Sequence, residues 1–370
     1  MNFAKTYLGL GFMAENNWMS ARKLDDIEMM FKKTTRPKLE IDEYPTIERI
    51  GCVLDSSPQG RNAMRIATAL TKRLDTTLQI IVSEDFYEPL EVLVDSAQKE
   101  LTELETLAQD HVKETGIKAK VDQVIGEKLK ITLEMFQQEA TSEETLGGKL
   151  IHKIRESEAQ IMVIGVPLFK EKGTSELGKE YVHESLGRYT LMLLRERSIP
   201  ANFLLVSGKT EEITDKVLAF VSVEQQPASI VALYRRALSF TTEKTEFKIV
   251  GIVGDKVIET VARLDLPEED PDATPDLEAV ATKLKSHMED TLDSITLKKE
   301  IDDVIILGSP TSEVNTGTIS EIVRIYLDNF KPGIVFVRSV PELADNLDPF
   351  AETITRQVLS SGVPVLVLWD

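Results

Sequence analysis

Short, fully apolar runs alternate with amphipathic stretches along most of the chain, and the whole pattern occurs twice. In the first copy, Ile50–Leu54 predicts a buried strand. The turn Asp55-Ser56-Ser57-Pro58 carries helix-capping residues and a proline suited to a first helical turn. Asn62–Leu74 then places Ala63, Ile66, Ala67 and Leu70 on one helical face. Leu78–Val82 predicts a strand, Val92–Thr115 a long helix ended by Gly116, and Lys118–Ile125 a third strand. A helix over Leu146–Glu156, a strand over Gln160–Ile164, a helix over Tyr181–Arg197 and a strand over Phe203–Val206 complete this copy.

The second copy predicts strands over Lys216–Val223, Phe247–Val253, Val304–Leu307, Ile334–Val337 and Val363–Trp369. Its helices are predicted over Ala228–Phe240, Pro275–Lys298, Thr318–Phe330 and Phe350–Ser360. Apolar strands alternating with helices predict a parallel sheet covered on both faces. The fold class is therefore α/β, with two tandem doubly wound, Rossmann-type domains over residues 46–207 and 214–370. Residues 1–45 form an N-terminal extension, helically spaced over Ser20–Lys33, that is expected to pack on this body or on a second one. The acidic, proline-rich segment Asp265–Asp276 predicts a solvated loop and lacks the ligand spacing of a calcium site.

Charge narrows the function. A formal net charge of -19 over 370 residues leaves no basic stripe for nucleic acid and disfavours an anionic membrane surface. No apolar run is long enough to span a membrane. The single cysteine, Cys52, lies within a predicted strand, so a buried thiol is expected, with neither a disulfide nor a cysteine-based zinc site. That usage fits a reducing cytoplasm. The four histidines are His111, His152, His183 and His287. His111, His152 and His287 are expected at solvated helix positions, and His183 near a glycine-bearing loop. No nucleophile or metal constellation is present, so no enzyme is expected. The linker Ser207–Ile213 contains Gly208-Lys209-Thr210 after a strand, but Phe203 stands where a phosphate loop needs its first glycine.

The opening IERIGCVLDSSPQGRNAMRIATALTKRL, the later AQIMVIGVP and the closing segment from Gly333 to Asp370 resemble the universal stress protein family in tandem form. The resemblance covers all but the N-terminal extension. ATP-binding members of that family carry G-x2-G-x9-G-[S/T] between the fourth strand and the last helix, where backbone N–H groups and a helix N-terminus approach phosphates. An aspartate after the first strand holds adenine. Carried over, the first domain keeps Asp55, Val82, Gly126 and Gly165, with Thr190 near the final G-[S/T] position. Leu168 replaces the second glycine, and the stretch Lys170–Tyr189, with Gly173, Gly178 and Gly187, is longer than the motif. In the second domain, Arg338, Pro341, Ala351 and Glu352 occupy the motif positions, and Glu224 stands in place of the aspartate.

The resemblance implies a non-catalytic cytoplasmic protein with a stress-response or regulatory role, working through protein contacts. Its partner is a second copy, as a homodimer, or another protein, and the final strand is expected to offer an edge for pairing. Two alternatives stay open. The first domain serves as an ATP- or AMP-binding regulatory module, or the chain is a soluble regulatory partner of a membrane transporter, docked through its aromatic-rich extension.

Overall fold

The computed structural model describes residues 47–83, 94–124, 146–174, 180–186, 188–196, 199, 201–210, 213–225, 227–241, 244–264, 276–296, 311–339 and 349–369. The expectations for residues 1–45, for the loop after Leu264 and for a strand over Val304–Leu307 fall outside these residues.

The chain first runs through β1 (Arg49–Leu54), α1 (Pro58–Leu74), β2 (Thr77–Ser83), α2 (Val94–Thr115), β3 (Ala119–Val124), α3 (Leu146–Ser157) and β4 (Ile161–Gly165). Then come β5 (Leu168–Thr174), β6 (Glu180–Leu186), α4 (Arg188–Arg195) and β7 (Asn202–Val206). The later part comprises β8 (Lys216–Ser222), α5 (Pro227–Leu238), β9 (Glu246–Gly254), α6 (Asp255–Leu264), α7 (Leu277–Thr296) and β10 (Thr311–Gly317). It ends with α8 (Ile319–Phe330), β11 (Ile334–Ser339), α9 (Pro349–Ser360) and β12 (Val365–Trp369).

Ten strands form one sheet in the order β10-β9-β8-β11-β12-β7-β4-β1-β2-β3. Counted from β1 and from β8, the two halves of the sheet have the same strand order. All neighbouring pairs are parallel except β12 and β7, which meet antiparallel with Val365 opposite Leu205, Leu366 opposite Leu204 and Val367 opposite Phe203. One apolar layer collects side chains of α1, α2, α5, α6 and α7 on one face. The other collects those of α3, α4, α8 and α9. Covering both faces is what makes the central strands buried almost without interruption.

Helix α1 shows how the local sequence sets an element. The Ser57 side chain accepts the Gly60 N–H, Pro58 opens the helix, and Asp75 closes it in the left-handed region at φ 49°. Lys72 and Arg73 lie in its last turn, where a positive charge suits the helix dipole. The predicted face Ala63, Ile66, Ala67 and Leu70 is buried.

The linker after β7 is laced along α1. Asn62 Nδ2 donates to the carbonyls of Ser207 (3.3 Å) and Gly208 (3.0 Å), and Arg65 donates to that of Thr210 (2.6 Å). Arg73 reaches Asp215 (3.0 Å) and the Thr245 hydroxyl (3.0 Å). Lys209 Nζ donates to the carbonyl of Ser360 at the end of α9 (3.1 Å). Gly208-Lys209-Thr210 thus joins the two halves, and its lysine satisfies a helix C-terminus.

Three expectations are corrected. The final strand β12 is no edge, because it lies between β11 and β7. The segment expected as one helix over Tyr181–Arg197 divides into β6 and α4, and β6 pairs antiparallel with β5. Helix α6 is additional, with Ile258, Val261 and Ala262 buried. The polar segment Thr311–Gly317 forms the strand beside β9.

Among the described residues the sheet edges are β3 and β10, and both carry charge, as exposed edges commonly do. On β10, Glu313 accepts from Lys248 Nζ (2.6 Å) and from the Tyr326 hydroxyl, and Asn315 Nδ2 donates to Tyr326 Oη (2.8 Å). Burial, aided by the bond to Glu313, pushes the Tyr326 phenol up to about 12. The bond from Lys248, followed by that from Tyr326, holds the Glu313 carboxyl below its ordinary value of 4.5. A depressed native pKa stabilises the fold above the unfolded value, and the gain is lost as pH falls through the native one. The stability difference between the wild type and Glu313→Gln should therefore be flat above about pH 5 and vanish on further acidification, as read by urea unfolding across pH. The Glu313 side chain is 48% exposed, so added salt should shrink the difference.

Candidate functional site

Ligands of open α/β sheets bind beyond the carboxyl ends of the strands, where the strand order reverses. In this sheet those places lie between β1 and β4 and between β8 and β11. At the first, Leu54 is level with Val82 and Val53 with Ile164, so Asp55, Val82 and Gly165 gather at the ends of three adjacent strands. Thr190 is buried on α4, a helix that packs on the sheet face opposite α1. Gly126 lies outside the described residues, as do Gly178 and Gly187. Gly173 lies within β5, opposite Tyr181, and His183 lies in β6 opposite Glu171.

Asp55 is 3% exposed. Its Oδ1 accepts the Ser57 N–H at 3.0 Å and the Ser57 hydroxyl. That hydroxyl in turn accepts the Gly60 N–H at 3.0 Å. The carboxylate thus braces the first turn of α1 in an Asx-type turn. A Cβ on Gly60 would collide with Asp55 Oδ1, and one on Gly165 would collide with the Gln59 backbone and lie 2.5 Å from the Gly60 nitrogen. The backbone of Gln59 and Gly60 therefore fills the space between Asp55 and Gly165. Gly60 is the residue that sequence reasoning missed. Its signal was a glycine inside a strong helical pattern, where helix propensity alone disfavours it.

Between β4 and α4, where the resemblance places phosphate-binding glycines, the chain forms the β5–β6 hairpin, and Leu168 begins its first strand. Next to Asp55, Cys52 is fully buried, and burial, then the Asp55 charge, pushes its thiol pKa up. It is an inert core residue.

At the second reversal, Glu224 is exposed, and its N–H donates to the Ser222 hydroxyl (3.2 Å). Gln225 accepts the Ser222 N–H (3.2 Å) and donates to the Arg338 carbonyl (3.0 Å), tying β8 to β11. Arg338 is 6% exposed, and burial brings its guanidinium down to about 10. Ala351 is buried in the first turn of α9, and Glu352 pairs with Arg356 (3.7 Å). Pro341 lies outside the described residues. Two motif positions are thus occupied by helix α9 itself.

His111 departs from expectation. Its Nε2 lies 3.0 Å from the hydroxyl of buried Thr68, which itself donates to the Met64 carbonyl. The histidine therefore donates, and it joins α2 to α1. His152 pairs with Glu156 at 3.0 Å on an exposed face, as expected, whereas His287 is partly buried on α7. Among the described residues, no three His, Cys, Asp or Glu side chains are placed to hold a metal ion. Nor is any described helix long and apolar enough to cross a membrane.

With this geometry in view, comparison with solved structures finds a consistent group. A universal stress protein from Archaeoglobus fulgidus is 12% identical, with 87% of this chain and 98% of that one covered, at a TM-score of 0.48. A functionally unknown protein from Pseudomonas aeruginosa PAO1 is 14% identical over 88% of this chain and 93% of its own, also at 0.48. A protein assigned to the universal stress proteins from Pseudomonas aeruginosa UCBPP-PA14 is 14% identical over 87% and 93%, at 0.47. The chain is similar to universal stress proteins. No family model matches it, and no curated protein does. The mixed α/β architecture of this universal-stress-like chain rests on its own strand order and two helical layers.

Proposed function

We propose that this is a non-catalytic, cytoplasmic, universal-stress-like protein with a stress-related regulatory role, exerted through protein contacts. One observation carries this reading: Asp55 and Gly165 are both engaged by the first turn of α1, so the residues that the resemblance assigns to adenine and phosphate serve the packing of this helix. Arg338, Ala351 and Glu352 in the second half, two of them in or against α9, point the same way. The cytoplasmic assignment rests on a lone, buried cysteine.

A second reading, an ATP- or AMP-binding module in the first half, is favoured by the position of Asp55 at the reversal of strand order. Calorimetric titration of ATP and AMP into the full chain, with a phosphate-release assay alongside, decides between the two. The expected result is no saturable heat and no hydrolysis. Saturable binding at one site per chain that disappears in Asp55→Ala would replace the first reading by the second. Protein-dependent hydrolysis that scales with enzyme concentration through purification would overturn the non-catalytic assignment itself.

A further inference from the structure

No further inference is drawn: the strongest candidate, the cavity of about 540 Å³ at the amino ends of β1 and β2 between the last turns of α1 and α2, is walled by exposed side chains of opposing charge, Glu48 and Asp75 against Lys72 and Lys118, and nothing in the structure shows what fills it.

Discussion

Gly165→Ala should lower the stability of the full chain by about 3 kcal/mol or more, one of the largest effects expected from a single methyl group. The added Cβ meets the backbone of Gln59 and Gly60, and no rotamer change relieves a clash with backbone. Relief requires α1 to lift from the end of β4, which disturbs the Asp55–Ser57 bonds and the buried face of the helix with Ala63, Ile66 and Ala67. Urea unfolding, followed by circular dichroism, measures the loss. A glycine kept open for phosphate on a ligand loop behaves differently, because its substitution weakens binding and leaves the unfolding midpoint in place. An unchanged midpoint for Gly165→Ala would contradict the packing role.

Phe203→Ala should cost about 3 to 5 kcal/mol. Phe203 is 1% exposed in β7, opposite Met162 of β4 on one side and Val367 of β12 on the other. Truncation opens a cavity at the one antiparallel seam of the sheet, where rigid backbone ladders on both sides limit collapse. Phe169→Ala is the matched control. Phe169 is 39% exposed on the hairpin, and its loss should change stability by only about 0.5 kcal/mol. Comparable effects for the two phenylalanines would argue that the seam is not a tightly packed part of the core.

The central strands were legible because they are buried on both faces, which forces an unbroken apolar run such as Cys52-Val53-Leu54 or Phe203-Leu204-Leu205. The edge strand β10 was not, because an edge needs little apolar content. Thr311–Gly317 is polar and carries no apolar alternation that marks a strand. Strand β6 was misread because Val182 and Leu186 stand four residues apart, a helical spacing, while its partner β5 lies across a turn that local pattern cannot pair. The candidate site was half legible. Asp55 and Gly165 do come together, but the sequence could not show that the Gln59–Gly60 backbone lies between them, since that depends on how closely α1 seats on β4.

The position of β12 bears on how the chain is made. The strand latest in the sequence closes the sheet at its centre, beside β7. About 160 residues separate the two strands, so at ribosomal rates the β7 edge waits on the order of ten to thirty seconds for its partner. Throughout that interval the nascent chain displays Phe203-Leu204-Leu205-Val206 with one ladder of backbone groups unpaired. The apolar edge of β7 thus stays uncovered on the nascent chain until β12 is made and pairs with it.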